Sequence, residues 1–308
     1  MTKIRSAKLC LLVIVLSLFL LSPLAAENYY VNNVTGDDDN NGQLVLANDL
    51  NPRNGPFKTI NHALKLAVGG DRIFIQNTNT PYQECLTIQG RRHSGSMINP
   101  LTIVSDGAIL DGTRPINDRW EYYRDNIYRF QPELKSYQQL YFEGRPLPQT
   151  RLFEGDQPDT LDENQWTLHD GWIYFKTDGR DAIRYDMSYC YHQTGITLYE
   201  VRNVVIDGLI VQGFQLDGVN AHDLVYGTTV VSTISRGNGR SGISIGGASR
   251  VSVVACLLGE NGKAQLRSEG YSRSEVTNTD IVESNDYGVP FEQSRGSIVD
   301  FYEEPSDQ

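Results

Sequence analysis

The sequence predicts an all-β chain, a right-handed parallel β-helix, and three observations predict it. First, the stretch from Arg202 to Phe301 repeats itself, in four turns and a partial fifth, at 22–24 residues. The short segments after each bend begin at Gly218, Gly242, Ala264 and Gly288, and Asn238, Asn261 and Asn285 stand just before three of those bends. Second, runs such as VVIDGLIVQ and GISIG alternate apolar and polar residues, as strands with one buried face do. Third, helical spacing is missing from the repeat, and so is the fixed leucine spacing of a leucine-rich repeat. One turn is too small to bury its own apolar face, so stacked neighbours must share a continuous core.

The chain opens with TKIRSAK, a 13-residue apolar run, LCLLVIVLSLFLL, and a small-residue exit, SPLAA. This has the form of a secretory signal peptide over residues 1–26, with cleavage near Ala26. The run is short for a membrane span, which argues against an uncleaved anchor. The expectation is a secreted or periplasmic protein with no membrane contact after cleavage. Residues 27–308 then form a single domain: 27–76 carry a strand, an Asp-rich loop and a capping helix, 114–193 an aromatic β insertion, and 202–301 the regular coils.

The whole chain carries a formal charge of −11. Losing Lys3, Arg5 and Lys8 with the leader takes it to about −14, which argues against nucleic acid as a partner. An acidic substrate then needs basic side chains or a bound cation gathered locally. Cys85, Cys190 and Cys256 remain after cleavage, at spacings that match no metal site. Export permits a disulfide, and Cys256, within VVACLL, reads as a small core residue. The oligomeric state is not encoded in any pattern of this sequence.

The first element after the leader is a short strand, YYV, leading into the loop TGDDDNNG. Asp37, Asp38 and Asp39 are hard oxygen ligands close together, a candidate Ca²⁺ site, although the later Glu of an EF-hand loop is missing and a solvated turn explains them as well. In GPFKTINHALKLAVGGDRIFIQ, Thr59 is placed to cap a helix with Ile60, Ala63, Leu64 and Ala67 on one face. Gly69 and Gly70 end it and Asp71 opens a strand. Such a helix serves as a lid on the first coil, whose strand edges and core would otherwise lie open.

These segments, with PYQECLTIQG and NPLTIVSDGAILDGT, resemble the amino-terminal part of secreted bacterial right-handed parallel β-helix proteins of the pectate-lyase-like superfamily. The features that carry the resemblance are the Asp/Asn/Gly loop, Pro-Phe-x-Thr-Ile, the Gly-Asp turn into a strand, and Tyr82-x-Glu84, over Tyr29 to Thr113. VVIDGLIVQGF, from Val204 to Phe214, is similar too. The resemblance implies the fold. It leaves activity open, because the superfamily holds lyases, hydrolases, epimerases and non-catalytic members. The catalytic patterns of polygalacturonases, alginate epimerases and classical pectate lyases are not found, so no catalytic residue carries over.

The insertion is rich in aromatic residues. FEGRPLPQTRLF suggests a hairpin, and WTLHDGWIYFKTDG suggests two strands joined at His169-Asp170-Gly171. Trp172 and Tyr174 are candidate sugar-stacking rings, against the plainer reading that such rings fill the insertion's own core.

Within the coils, residues one turn apart are expected to stack at about 4.8 Å. That places Arg240 beside Lys263, with Arg236 nearby and Arg267 in the next strand, and Asp217, His222 and Asp223 in the preceding turn. Lys263 is the candidate base for β-elimination on a uronic-acid polymer, with Arg240 and Arg267 as catalytic partners for the substrate carboxylate. Arg236 and His222 are candidate substrate contacts, and Asp217 and Asp223 candidate ligands for a cation, Ca²⁺. The plainer reading is that Arg and Lys on solenoid turns are solvated surface and that the Asn residues form a structural ladder. The expected function is an exported protein acting on an acidic polysaccharide, as a lyase. The alternatives are a non-catalytic carbohydrate-binding or surface-structural protein and a glycoside hydrolase.

Overall fold

A computed structural model describes residues 26–303 except residues 49, 52, 118 and 135. The predicted leader lies outside the described residues apart from Ala26, as do residues 304–308 of the acidic tail.

Three parallel sheets wind into one solenoid. A long sheet of eight strands runs from Asn28–Val31 at one end, through Arg72–Ile75, Leu101–Ser105 and the later coils, to Ile298–Tyr302 at the other. A six-stranded sheet runs from Leu86–Gln89 to Val289–Gln293, and a five-stranded sheet from Ile109–Asp111 to Asp280–Ile281. Every pairing in these sheets is parallel and joins consecutive coils. In the six-stranded sheet Val219 stands opposite Ile243, Ile243 opposite Leu266, and Leu266 opposite Phe291. From Leu101 onward each complete coil gives one strand to each sheet, so apolar residues of all three meet in a single core, in which Ile206, Val211, Val219, Ile243, Leu258 and Leu266 have no exposed surface. That is how a repeat too short to fold alone becomes stable.

The register corrects the sequence spacing in one place. Ser241, not Gly242, faces Ala264, so Gly288 falls beside Lys263 and Val289 continues the column. Arg240 and Lys263 remain equivalent, and the Lys263 N–H donates to the Arg240 carbonyl at 2.9 Å.

The amino-terminal features meet at one point. The helix Ile60–Leu66 lies over the first coil with Ile60, Ala63 and Leu64 buried, and the Thr59 hydroxyl caps it by accepting from the His62 N–H at 3.1 Å. The Asp38 carboxylate accepts from the N–H groups of Lys58 and Thr59, both at 2.9 Å, and from the Thr59 hydroxyl. Glu84 accepts from the N–H groups of Ile60 and Asn61, both at 2.9 Å. Two carboxylates thus satisfy donors that a helix start leaves open and sit where the helix dipole favours negative charge. Tyr82, buried two residues earlier, donates its hydroxyl to the Gln76 carbonyl at 2.8 Å. The Asp loop, the Thr-Ile start and Tyr-x-Glu are therefore parts of one capping device.

At the corner between the five- and six-stranded sheets, Asn238 and Asn261 are fully buried and stacked. The Asn238 backbone N–H and Nδ2 both donate to Asn261 Oδ1 at 2.9 Å. The ladder has two rungs: Asn261 Nδ2 donates onward to Gln265 Oε1 at 2.8 Å, and Asn285 is exposed.

The insertion leaves the solenoid after Ile109–Asp111, ends with the strand Met187–Cys190, and the solenoid resumes at Ile196–Tyr199. It forms two four-stranded antiparallel sheets. Trp166–His169 pairs with Trp172–Lys176 across a turn in which Asp170 and Gly171 have φ of 51° and 78°, a two-residue hairpin of the kind Asp-Gly favours. Trp166, Phe130, Phe175 and Tyr189 fill the insertion's main core. The insertion rests on the solenoid at Gly237, which accepts from the Tyr141 hydroxyl at 2.8 Å. A Cβ on Gly237 would come within 2.0 Å of that hydroxyl oxygen, so close docking requires glycine there.

Candidate functional site

The candidate site lies on the six-stranded sheet beside the insertion. Val219, Ile243 and Leu266 point into the core, so their strand neighbours face out. Thr197, Asn220, Ser244, Arg267 and Glu292 therefore form one column on the side away from the core, a residue per coil, in which Ser244 is itself buried. At the edge of this face, Arg240 and Lys263 follow the Asn corner in consecutive coils.

Carboxylates from neighbouring coils meet these cations. Arg240 clamps Asp217, Nε to Oδ1 at 3.0 Å and Nη2 to Oδ2 at 2.5 Å, and the Ser241 hydroxyl donates to the same carboxylate at 2.5 Å. Asp217 has no exposed surface, which makes this a buried, two-pronged pair. The hydrogen bonds to Asp217 raise Arg240 further above its ordinary range. Lys263 Nζ lies 3.0 Å from Glu292 Oε1, while Arg267 Nε reaches Glu292 Oε2 at 3.0 Å and Arg267 Nη2 reaches Glu269 Oε2 at 2.8 Å. Burial pushes the Glu292 carboxyl upward, but the Lys263 and Arg267 charges outweigh it and hold it below its usual range. Arg267 Nη1 is buried without a partner.

The structure therefore brings together Arg240, Lys263 and Arg267, and adds two residues that the sequence reading missed, Glu269 and Glu292. Glu292 stands opposite Arg267 in the next coil, and the stacking rule carried one turn further points to it.

Other expected members lie elsewhere. Arg236 belongs to the five-stranded sheet, where it donates to Gln212 Oε1 at 3.1 Å, and Gln212 Nε2 donates in turn to Asp111 Oδ2 at 2.8 Å. His222 is exposed at the far end of the strand Asp217–Asp223, its ring 5.8 Å from that of Tyr199. Asp223 Oδ1 accepts from the N–H groups of Leu224 and Ala248, each at 2.9 Å, and so braces a turn. Six residues of strand, about 20 Å, separate it from Asp217, so these two carboxylates cannot share a cation.

The Asp loop does not fit Ca²⁺ either. Asp38 spends both oxygens on the helix start, and Asp37 Oδ1 accepts from the Asp39 N–H at 3.0 Å. Among the described residues, no group of three His, Cys, Asp or Glu is placed to hold a metal ion.

Tyr174 is 6% exposed and packs with Ile127 and Leu161, so it is core and not a sugar platform. Trp172 is half-buried, with the Arg129 guanidinium 4.3 Å above its ring. The plainer reading holds for both, because a small insertion needs its large rings for burial.

A model of the right-handed β-helix region matches residues 172–301. Among solved structures, a glycoside hydrolase is similar at 10% identity, over 82% of this chain and 73% of its own, with a TM-score of 0.60. A complex of XylC with xylose matches at 12% identity over 89% of this chain and 70% of its own, TM-score 0.43. A pectate lyase matches at 11% identity over 92% and 79%, TM-score 0.32. Comparison with curated proteins finds no match. The chain has the right-handed parallel β-helix fold.

Proposed function

We propose that this is an exported protein that binds an acidic polysaccharide along the outward face of the six-stranded sheet. The observation that carries the reading is the gathering of Arg240, Lys263 and Arg267 from two consecutive coils on one face of an otherwise acidic chain. Their carboxylate partners make the site an exchange surface. A uronate carboxylate takes the place of Glu292 or Glu269 on Arg267, and Thr197 and Asn220 offer hydrogen bonds to hydroxyls along the same column. Stacked coils repeat these donors at about 4.8 Å, so an extended polymer meets them in succession.

Cleavage by β-elimination is the second reading, favoured by the half-exposed Lys263 amine beside an arginine with an unfilled donor. Lys263 acts as base only once its ion pair with Glu292 is broken and its own proton has passed to solvent, because an ammonium has no lone pair to take the proton next to the carboxylate. Substrate displacement of Glu292 is the step that frees it.

The test is binding of oligogalacturonate, oligoalginate and heparin oligosaccharides to the mature protein, with absorbance of unsaturated product followed in parallel. At least one is expected to bind, about tenfold or more weakly to Arg267→Gln and normally to Arg273→Gln on the long sheet. Unaltered affinity in Arg267→Gln, or no binding of any of the three, refutes the site. Product formation that survives Lys263→Ala removes the second reading.

A further inference from the structure

The insertion holds a cavity of about 390 Å³, lined by Pro132, Leu134, Ser136 and Gln138 on one side and by Leu168, Asp170 and Gly171 of the hairpin on the other. Gln138 is 3% exposed, yet both atoms of its amide are buried without a partner. Leaving such a group unmet destabilises the fold, so a folded chain that keeps it calls for a reason. The cavity wall that carries it is held by side chains. Among the described residues, segment 131–138 makes no backbone hydrogen bond; Glu133 anchors it through Arg119 at 2.6 Å and Arg114 at 3.0 Å.

The lining has two characters. Pro132, Leu134 and Leu168 offer an apolar wall, and Ser136, Gln138 and Asp170 offer a hydroxyl, an amide and a carboxylate. A pyranose ring presents the same division, C–H faces and a hydroxyl rim, and the volume lies within the range of small-ligand pockets, about 300–1,000 Å³. Residues with unmet donors and acceptors discriminate strongly for ligands that fill them.

We infer that this cavity is a binding site for a neutral pyranose unit, with the Gln138 amide taking two sugar hydroxyls, one as donor and one as acceptor. The site adjoins the charged strip: a Cβ on Gly239, the residue before Arg240, would lie 3.1 Å from the Gln138 backbone nitrogen. It does not depend on the strip, and it requires no charge on the ligand.

The experiment titrates the mature protein with the methyl glycosides of glucose, galactose, mannose and xylose, by calorimetry and by saturation-transfer NMR, and repeats the titrations on Gln138→Leu and Asp170→Ala. At least one glycoside is expected to bind, and Gln138→Leu to weaken it about tenfold or more while Tm stays equal or rises, since an unmet buried amide is removed. Asp170→Ala removes a side chain that is 87% exposed and is expected to lose affinity severalfold; its Tm is expected to fall, because φ is 51° there and alanine tolerates that conformation less well than aspartate. Binding of none of the four, or equal affinity in Gln138→Leu, overturns the inference. So does a lowered Tm in Gln138→Leu with affinity unchanged, which marks the amide as bonded to buried water. Oligogalacturonate binding measured on the same variants separates this site from the strip: Gln138→Leu leaves it in place if only the cavity reading fails.

Discussion

Replacing Asn261 with Ala removes the pivot of the buried amide ladder. In the native chain its Oδ1 accepts from the Asn238 N–H and from Asn238 Nδ2, and its Nδ2 donates to the Ser235 carbonyl at 3.1 Å and to Gln265 Oε1. The losses are unequal. Asn238 Nδ2 keeps the Ser235 hydroxyl at 3.2 Å, and Gln265 Oε1 keeps the Asn261 N–H at 3.0 Å. The Asn238 N–H keeps no partner, and Asn238 has no exposed surface through which water could replace one. One stranded donor costs about 1–3 kcal/mol, and two weakened groups add about 1 kcal/mol, for about 2–4 kcal/mol in all. Urea unfolding followed by far-ultraviolet circular dichroism reads this as a lowered midpoint at unchanged slope. Asn285→Ala, at the next equivalent place but exposed, is expected within about 0.5 kcal/mol of wild type. A loss below about 1 kcal/mol at Asn261, or equal losses at the two positions, refutes the ladder as a source of stability.

Two further predictions follow from local geometry. Ala255 sits at a solenoid corner with φ of 50°, where an L side chain is strained, so Ala255→Gly is expected to gain about 0.5–1 kcal/mol by the same urea measurement; a loss contradicts the strain. His93 is buried, its Nδ1 accepting from the Gln89 N–H at 3.0 Å while Nε2 faces the Leu64 carbonyl at 3.0 Å, an arrangement that fixes the neutral ring. Burial lowers its folded-state value, so the unfolded chain takes up the proton first as pH falls below about 6.5, and stability drops from there toward the depressed folded value. The decline is expected to be shallower in His93→Gln, and an identical pH profile in the two chains contradicts it.

The fold was legible because a solenoid writes its three-dimensional neighbours at a constant offset along the chain. Alternation set which residues face in, and the offset set which residues stack. The same rule located Arg240, Lys263 and Arg267 on one face. It failed where the offset varies by one residue, at Ser241 and Ala264, because a single residue inserted at a corner moves a column without changing the pattern. The role of Asp38 was not legible, because the partner that uses it, the start of the helix at Thr59, lies 21 residues away and outside any local motif. Tyr174 looked like a sugar platform because composition cannot separate a ring that faces solvent from one that fills a small antiparallel core. Arg236 was grouped with the strip since a short corner hides which of two sheets a residue joins.

The most direct test of the account is the coupling between Asp217 and Arg240, which lie 23 residues apart in the chain and in contact in the coil. A double-mutant cycle with Asp217→Asn and Arg240→Gln, read by urea unfolding, measures it. Stacking of consecutive coils predicts a coupling of about 1.5 kcal/mol or more for this buried, two-pronged pair. Independent, additive effects of the two substitutions would mean that adjoining turns do not present their charges to one another, and the proposed binding face would have no basis.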